Sequence, residues 1–257
     1  MARKFSREDL DNATQFTQFA PVYKVDSHTV VKSGDIVRMA EAETMKFVRA
    51  STTIPVPEVH NSYVDDETGH VVIVMDFVEG ENLDKAWDKL GSEDRESVIN
   101  QLRGYMEQLR QFKGSFIGSV DGTWCNDQFF TEDLGQYGPY ETEDDFNQGI
   151  VRAMKKDHPY TYVDWICDVW VDVMTGHDIV LTHGDLDPRN ILVQGSEVVA
   201  ILDWEFAGYY PEYWEYCKAL RHPEWEGSWI ASRALDKILE PYFKEVSVMW
   251  NSKEVLF

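Results

Sequence analysis

Short apolar runs separated by polar turns dominate the chain up to Gly80 and predict a small antiparallel sheet. Val22–Val25 and Thr29–Lys32 flank a polar turn, as the strands of a hairpin do, and Ile36–Arg38 adds a further short extended segment. Val71–Met75 is a continuous, mostly β-branched run, which is typical of a buried strand. The first part of the chain is therefore expected to be rich in strands.

Apolar residues at helical spacing prevail in the rest of the chain and in two earlier segments, Ser6–Phe16 and Glu41–Ala50. Beyond Gly80 the predicted helices are Asn82–Leu90, a helix starting at Ser92, Phe146–Met154, Tyr160–Met174, Pro211–Leu220 and Trp229–Phe243. The polar segment Asp76–Gly80 connects the two parts. The pattern predicts an α+β fold with an N-terminal lobe of residues 1–79, a C-terminal lobe of residues 80–257 and a cleft between them.

The net charge of the chain is strongly negative, which limits its partners. Among 257 residues, 24 Lys and Arg stand against 46 Asp and Glu, for a formal net charge of −22. Such a surface repels nucleic acid and anionic membranes and attracts cationic small molecules. We therefore expect no nucleic-acid or membrane partner, although an acidic, solvated surface alone explains most of these charges.

Cysteine usage and the lack of long apolar runs favour a cytoplasmic location. Cys125, Cys167 and Cys217 are odd in number and widely spaced, which predicts buried thiols in a reducing compartment. The first residues contain no apolar core of a secretory signal. No apolar run approaches the roughly 18 residues that cross a bilayer.

The segment Asp178–Gly208 combines three strand signals with a concentration of polar side chains. Ile179–Leu181, Ile191–Val193 and Val198–Leu202 are short apolar runs, and the last two flank a Gly-Ser turn typical of a hairpin. The polar side chains of the segment therefore lie at the ends of strands, where a rigid backbone can hold them in a cleft.

Four of these polar residues, His183, Asp185, Asn190 and Asp203, have the spacing of a phosphoryl-transfer site. Asn190 and Asp203 offer hard oxygen ligands, which suit Mg²⁺ together with phosphate oxygens and water. Asp185 is then left to accept a proton from a hydroxyl group, as in kinases. The alternative is that Asn190 only forms a turn and Asp203 only caps a helix.

Six sequence segments, two of which overlap Asp178–Gly208, occur in a fixed order along the chain. They are VVKSG at Val30–Gly34, AEAETMKFVRASTTIPVPEV at Ala40–Val59, VIVMDFVEGENL at Val72–Leu83, FIGSVDG at Phe116–Gly122, THGDLDPRNILV at Thr182–Val193 and ILDWEFAGYYPEYWEYCKAL at Ile201–Leu220. Together they resemble the aminoglycoside phosphotransferase-like branch of the protein-kinase-like fold, and most closely its fungal small-molecule kinase-like proteins. The resemblance covers nearly the whole chain. It implies a small antiparallel-sheet N-lobe and a larger, mainly helical C-lobe.

The resemblance also implies roles for residues of the N-lobe. Lys32 matches the strand lysine that holds the nucleotide phosphates, and Glu43 matches its helix partner. Asp76, Phe77 and Val78 match the hinge whose backbone binds the adenine or guanine of ATP or GTP. In the C-lobe, Asp185 is similar to the catalytic aspartate, and Asn190 and Asp203 are similar to the Mg²⁺ ligands.

Two departures from the protein-kinase pattern bear on the substrate. The loop Thr17–Pro21 contains no glycine, so the Gly-rich phosphate loop of protein kinases is missing. Trp204-Glu205 follows the metal aspartate where protein kinases have Phe-Gly, which favours a small-molecule acceptor.

These features predict a kinase that transfers the γ-phosphoryl group of ATP or GTP to a hydroxyl of a small molecule. The negative surface suits an acceptor that carries an amine, such as an aminoglycoside. Candidate acidic residues for its binding wall are Glu141, Glu143, Asp144, Asp145 and Glu215. The alternative function is a nucleotide-binding regulatory protein that has lost the transfer reaction.

Overall fold

The computed structural model describes residues 4–16, 20–127, 137–221 and 227–252, and in them a five-stranded antiparallel sheet precedes a mainly helical part. The sheet has the strand order β1-β2-β3-β5-β4, and every neighbouring pair is antiparallel. Its strands are β1 (Thr14–Gln15), β2 (Val22–Lys24), β3 (Thr29–Gly34), β4 (Val59–Val64) and β5 (Val71–Asp76). Two helices belong to this part, α1 (Arg7–Asp11) and α2 (Met39–Ser51).

The two faces of the small sheet pack against different residues, because successive side chains of a strand point to opposite faces. Val72 and Val74 of β5 join a buried cluster with Phe5, which precedes α1. Ile73, between them, packs with Ala42 of α2 on the other face. The continuous apolar run of β5 thus reflects a strand that is covered on both sides.

The remaining elements form the larger part of the molecule. In chain order they are β6 (Glu81–Asn82), α3 (Leu83–Ala86), α4 (Ser92–Leu109), α5 (Glu143–Asp157), α6 (Thr161–Val173), β7 (Ile179–Thr182), β8 (Ile191–Gln194), β9 (Glu197–Ile201), β10 (Gly208–Pro211), α7 (Trp214–Ala219), α8 (Ser228–Ala231), α9 (Leu235–Ile238) and α10 (Phe243–Asn251). The strands form two small sheets, β6-β8-β9 and β10-β7. A large buried cluster joins these elements, and Trp87, Trp170, Trp204 and Trp214 are among its most buried side chains.

Several local predictions are confirmed and others are wrong. Ser6 caps α1 by accepting a hydrogen bond from Asp9 N at 3.2 Å, and the hairpin of β8 and β9 turns at Gly195, which has a φ of 60°. The strand predicted at Ile36–Arg38 is absent, because these residues turn from β3 into α2. The helix predicted over Trp229–Phe243 is divided into α8, α9 and the start of α10.

The three cysteines are buried free thiols, as predicted. Within the described ranges, no helix is both long enough and apolar enough to cross a bilayer.

Candidate active site

The loop between β7 and β8 carries the predicted catalytic aspartate, and its sharp turn depends on a glycine. Gly184 has a φ of 82°, which lies in the left-handed region that favours glycine. A Cβ atom at this position would lie 2.6 Å from the carbonyl oxygen of Phe206. The backbone of this loop can therefore approach the segment after β9 only because residue 184 has no side chain.

His183 is fully buried and connects the loop to the segment that ends in Asp203. Its Nε2 lies 2.9 Å from the carbonyl oxygen of Leu202, so Nε2 must carry the proton and donate. Its Nδ1 then accepts a hydrogen bond from the backbone N–H of Asp185 at 3.2 Å. Burial lowers the pKa of His183, which favours this neutral form. The histidine orients the loop and is not placed to act as a base.

Glu215 of α7 holds the same turn from the other side. Its two carboxylate oxygens accept hydrogen bonds from the backbone N–H groups of His183 at 2.6 Å and Gly184 at 3.2 Å. Only 4% of Glu215 is exposed. Glu215 thus fixes the backbone immediately before Asp185, and this contact replaces the role in an acceptor-binding wall that the sequence suggested for it.

Asp185 and Asn190 face each other across the loop. Asn190 Nδ2 donates to Asp185 Oδ2 at 2.8 Å and to the Asp185 carbonyl oxygen at 3.1 Å. Burial and the neighbouring charge of Asp203 raise the pKa of Asp185 to about 6, against the lowering influence of Lys218 and the Asn190 hydrogen bond. Because the amide nitrogen of Asn190 is directed at Asp185, its amide oxygen is the atom left to bind a cation.

Asp203 follows β9 and is held beside the loop by the backbone. The N–H of Leu202 donates to the carbonyl oxygen of Asn190 at 2.8 Å, which keeps the two predicted metal ligands on neighbouring segments. Asp203 has a φ of 63°, a left-handed conformation that is uncommon for a residue with a side chain. Its carboxylate is 37% exposed, so a ligand from solvent can reach it.

Lys32 on β3 reaches Asp203 from the sheet and contacts three carboxylates. Its Nζ lies 2.7 Å from Asp203 Oδ1, 2.9 Å from Glu41 Oε1 and 3.0 Å from Glu205 Oε2. Burial alone would lower the pKa of Lys32, but the three carboxylates together raise it above its ordinary value. The lysine is therefore a fixed cation in a surplus of negative charge.

The helix partner predicted for Lys32 is wrong. Lys32 pairs with Glu41, which is 2% exposed, whereas Glu43 pairs with Lys46 at 2.9 Å on the outer side of α2. Two residues correspond to about 200° around a helix, so Glu41 and Glu43 point in nearly opposite directions. The i+4 spacing did not distinguish them in the sequence, since Glu41 precedes Met45 and Glu43 precedes Phe47, both apolar.

The Glu205 carboxylate faces Lys32. Besides the contact to Lys32, its carbonyl oxygen accepts a hydrogen bond from Asn126 Nδ2 at 2.9 Å. Burial and the charge of Asp203 raise the pKa of the Glu205 carboxyl group, against the lowering effect of Lys32. Lys32, Asp203 and Glu205 thus form one electrostatic unit.

The predicted hinge connects β5 to β6, and part of its backbone is already hydrogen-bonded. The N–H of Asp76 donates to Glu58 O at 3.0 Å, and the N–H of Phe77 donates to His28 O at 2.7 Å. Any base that binds this segment therefore has to use the Val78 N–H or the hinge carbonyl groups. The glycine-free segment predicted before β2 falls largely on Thr17–Phe19, outside the described residues.

The donor set of the site fits a magnesium ion. The described residues contain no group of three or more His, Cys, Asp or Glu arranged to hold a metal. Mg²⁺ requires no such cluster, because it keeps water and takes one or two carboxylates together with substrate phosphates. The amide oxygen of Asn190 and the solvent-exposed carboxylate of Asp203 are hard oxygen donors of the appropriate kind.

The acidic residues near the start of α5 have structural partners. Glu143 Oε2 accepts from the N–H groups of Gly176 and His177 at 2.8 and 3.0 Å, and Glu143 Oε1 lies 2.7 Å from His177 Nδ1. Asp145 Oδ2 accepts from Thr142 Oγ1 at 2.7 Å at the N-terminus of the helix. These contacts explain two members of the predicted acidic wall without a ligand.

The antiparallel sheet followed by a mainly helical part is a protein-kinase-like fold. The sequence profile of the phosphotransferase enzyme family matches residues 22–242, and the chain belongs to this family. Among solved structures, a GDP complex of aminoglycoside 2'-phosphotransferase-IIIa has a TM-score of 0.61 at 14% identity, covering 93% of this chain and 82% of that chain. The streptomycin–ATP complex of APH(2")-IIa has a TM-score of 0.63 at 12% identity, covering 97% and 88%. At such identities the likeness concerns the fold.

A curated relative is a subtelomeric hrmA-associated cluster protein of Aspergillus fumigatus, which is 27% identical over 121 residues. The match covers 46% of this chain and 22% of the relative, so the chain spans about a fifth of that protein's length.

Proposed function

We propose that this protein transfers the γ-phosphoryl group of a nucleoside triphosphate to a hydroxyl group of a small molecule. The observation that carries the proposal is the 2.7 Å contact between Lys32 Nζ and Asp203 Oδ1. This contact joins Lys32, the candidate phosphate-binding residue on the N-terminal sheet, to Asp203, the candidate metal ligand beside the Asp185 loop. Membership of the phosphotransferase enzyme family supports the same reaction class.

Asp185 is the proposed catalytic residue. It is hydrogen-bonded to Asn190 and only partly exposed, so its carboxylate is held in one orientation. An acceptor hydroxyl that donates a hydrogen bond to this carboxylate is aligned for attack on the γ-phosphorus and loses its proton to Asp185. In phosphoryl transfer such positioning and charge stabilisation account for most of the catalysis.

Lys32 is proposed to bind the nucleotide phosphates, and Val78 the base of ATP or GTP. Asn190 and Asp203 would hold Mg²⁺, which neutralises phosphate charge when it is bound. Because Lys32 already has three anionic neighbours, Glu41 can keep the ammonium in place while phosphate oxygens compete with Asp203 and Glu205 for it. We further propose that residues 1–79 form the nucleotide-binding lobe and residues 80–257 the catalytic and substrate-binding lobe.

The acceptor is proposed to be an amine-bearing metabolite or an aminoglycoside. The net charge of −22 favours a cation through long-range attraction. Glu143, Asp145 and Glu215 have internal partners, so the attraction is assigned to the overall field and not to these residues. A cytoplasmic location, which three buried free thiols favour, completes the proposal.

Ligand binding and turnover test the proposal in two steps. Thermal-shift measurements with ATP or GTP, each with and without Mg²⁺, should show stabilisation by a nucleotide only when Mg²⁺ is present. Nucleotide consumption is then measured over a panel of aminoglycosides, amino sugars and amino alcohols. Absence of nucleotide binding would refute the proposal. Tight binding without turnover of any acceptor, or with no effect of Asp185→Asn on turnover, would favour the regulatory alternative.

A further inference from the structure

The residue immediately before α2 reaches out of the N-terminal part of the molecule. Arg38 is the N-cap residue of α2, and its side chain does not cap the helix. Its guanidinium donates from Nη1 to Ser119 Oγ at 3.2 Å and from Nη2 to Thr123 Oγ1 at 2.7 Å and Trp124 O at 3.3 Å. The guanidinium carbon also lies 4.4 Å from the centre of the Trp124 ring. One side chain thus makes four contacts with a single short loop.

This loop, Ser119–Trp124, is held by hydrogen bonds among its own residues, and we call it the latch loop. Ser119 N donates to Thr123 O at 3.0 Å, and Ser119 Oγ donates to Trp124 O at 2.9 Å. Thr123 Oγ1 and N both donate to Asp121 Oδ1, at 2.5 and 3.0 Å. These hydrogen bonds within the loop hold the acceptors for Arg38 in place, which reduces the entropy lost in making the contact.

The latch loop is also tied to the metal-binding side of the candidate site. Gly118, immediately before it, exchanges backbone hydrogen bonds with Tyr209 of β10 at 3.1 and 2.8 Å. Asn126, two residues after it, donates to the carbonyl oxygen of Glu205. The segment that receives Arg38 therefore also supports the backbone that follows Asp203.

Glu41 lies one helical turn from Arg38, and its position needs such support. Its carboxylate is 2% exposed, and the structure shows no hydrogen-bond partner for Oε2 among the described residues. Burial of a carboxylate is unfavourable, so an unrestrained α2 would gain by moving outward and hydrating Glu41. Lys32 would then be left to Asp203 and Glu205, and it would occupy Asp203, the carboxylate that is proposed to bind Mg²⁺.

We propose that Arg38 is a positioning residue that locks α2 against the latch loop and thereby keeps Glu41 on Lys32. The contact couples the placement of the phosphate-binding lysine to the segment after Asp203. The expected effect on nucleotide binding rests on the proposed function, whereas the restraint of α2 by the latch loop does not.

The test compares Arg38→Met, Glu41→Gln and the double variant with Arg49→Met as a matched control. Arg49 lies near the other end of α2. Among the described residues, its side chain donates to Val56 O and to the Glu58 carboxylate, which follow the helix in the same part of the molecule. Thr123→Val removes the shortest latch contact from the opposite side, so it tests the same contact if Arg38→Met does not fold. Titration calorimetry measures binding of Mg·ATP and Mg·GTP, and hydrogen exchange of the α2 amides is measured without nucleotide.

Arg38→Met should accelerate amide exchange in α2 and weaken Mg·nucleotide binding on the order of tenfold, since a multiply hydrogen-bonded charged group is lost. Thr123→Val should do the same to a smaller extent, and Arg49→Met should do neither. If Arg38 acts through Glu41, the double variant binds nucleotide about as weakly as Glu41→Gln alone.

Additive losses in the double variant would overturn the proposal, as would unchanged exchange in both Arg38→Met and Thr123→Val. If the wild-type protein binds no nucleotide, the proposed function fails, and the exchange measurement still decides whether the latch exists.

Discussion

Two lysines are buried in the described part of this protein, and their surroundings differ in a way that separates function from stability. Lys32, on β3, is 4% exposed and contacts Glu41, Asp203 and Glu205. Lys218, on α7, is 2% exposed and lies 2.7 Å from Asp127 Oδ1. The carboxylates raise the pKa of Lys32 despite its burial, whereas burial lowers the pKa of Lys218 despite Asp127.

The difference lies in the balance of charge and in access to solvent. Around Lys32 the anions outnumber the cation, and Asp203 is open to solvent, so the region gains from an additional cation such as Mg²⁺. The side chains of Lys218 and Asp127 are 1% and 0% exposed, which describes a sealed structural pair. We therefore expect changes at Lys32 to affect the reaction and changes at Lys218 to affect the fold.

The largest effect on activity is expected from a change at Asp185. Asp203, beside Lys32, raises the pKa of the Asp185 carboxyl group, and Lys218 lowers it. Asp185→Asn should lower kcat by roughly 10²–10⁴-fold while Mg·nucleotide still binds, because only the proton acceptor is lost. Steady-state kinetics and calorimetry measure the two quantities. Asp178→Asn, which alters an exposed partner of Lys113, is the control. Equal losses of binding and turnover would contradict the assigned role.

Removing Lys218 should be the most damaging of these changes to stability. Lys218→Met leaves Asp127 buried without this cation, and breaking a buried pair costs about 3–5 kcal/mol of unfolding free energy. Urea denaturation of the wild type and the variant gives the difference. Lys113→Met, in an exposed pair with Asp178, should cost much less, because solvent screens such a pair. A comparable cost for the two variants would refute the contrast between sealed and exposed pairs.

Removing Lys32 should instead affect the reaction more than the stability of the fold. Lys32→Met is expected to lower kcat/KM by about 10²–10³-fold, as the loss of one preorganised cationic donor does. Without Lys32 the pKa of Glu41 should rise further above its present value of about 7, because the lysine now lowers it. A raised folded-state pKa means that the folded protein binds more protons, so stability of the variant should fall as pH rises through that pKa. Stability of the variant that does not change between pH 6 and 8 would contradict this expectation.

A smaller effect should appear in the pH dependence of turnover. Asp185 must be ionised to accept a proton, so kcat/KM should rise with pH through about 6, the pKa of its carboxyl group in the free protein. Lys218→Met removes a charge that lowers the pKa of Asp185 and should move this rise in activity to higher pH. Asp187→Asn removes a charge that raises the pKa of Asp185 and should move the rise to lower pH. Shifts of the same sign in both variants would show that a group other than Asp185 controls the pH dependence.

Local sequence signals predicted the C-terminal half of the site because its residues are close in the chain. Asp185 and Asn190 belong to one loop, and the hairpin of β8 and β9 brings Asp203 beside them. The strands of that hairpin are short apolar runs with a glycine turn, so pattern alone defined them. By contrast, the sequence pattern did not predict β10, because its residues form a strand through backbone pairing with β7.

The N-terminal half was predicted less well, because it depends on the rotation of one helix. We expected α2 to begin at Glu41 with Glu43 as the partner of Lys32, and the helix instead begins at Met39 with Glu41 directed inward. Both residues are glutamates in a helical segment, so residue type could not distinguish them. The contribution of Arg38 was also hidden, as its partners in the latch loop lie far along the chain.

The left-handed backbone at Asp203 implies a conflict between durability and activity. That conformation costs a residue with a side chain about 1 kcal/mol, a cost that glycine avoids. Asp203→Gly would also relieve its repulsion with Glu205 and Asp185. The same substitution would remove the 2.7 Å contact to Lys32 and the proposed metal ligand, so a gain in durability would come with loss of the proposed reaction. A melting-temperature comparison of Asp203→Gly with the wild type measures the balance between the relieved backbone and the lost contact.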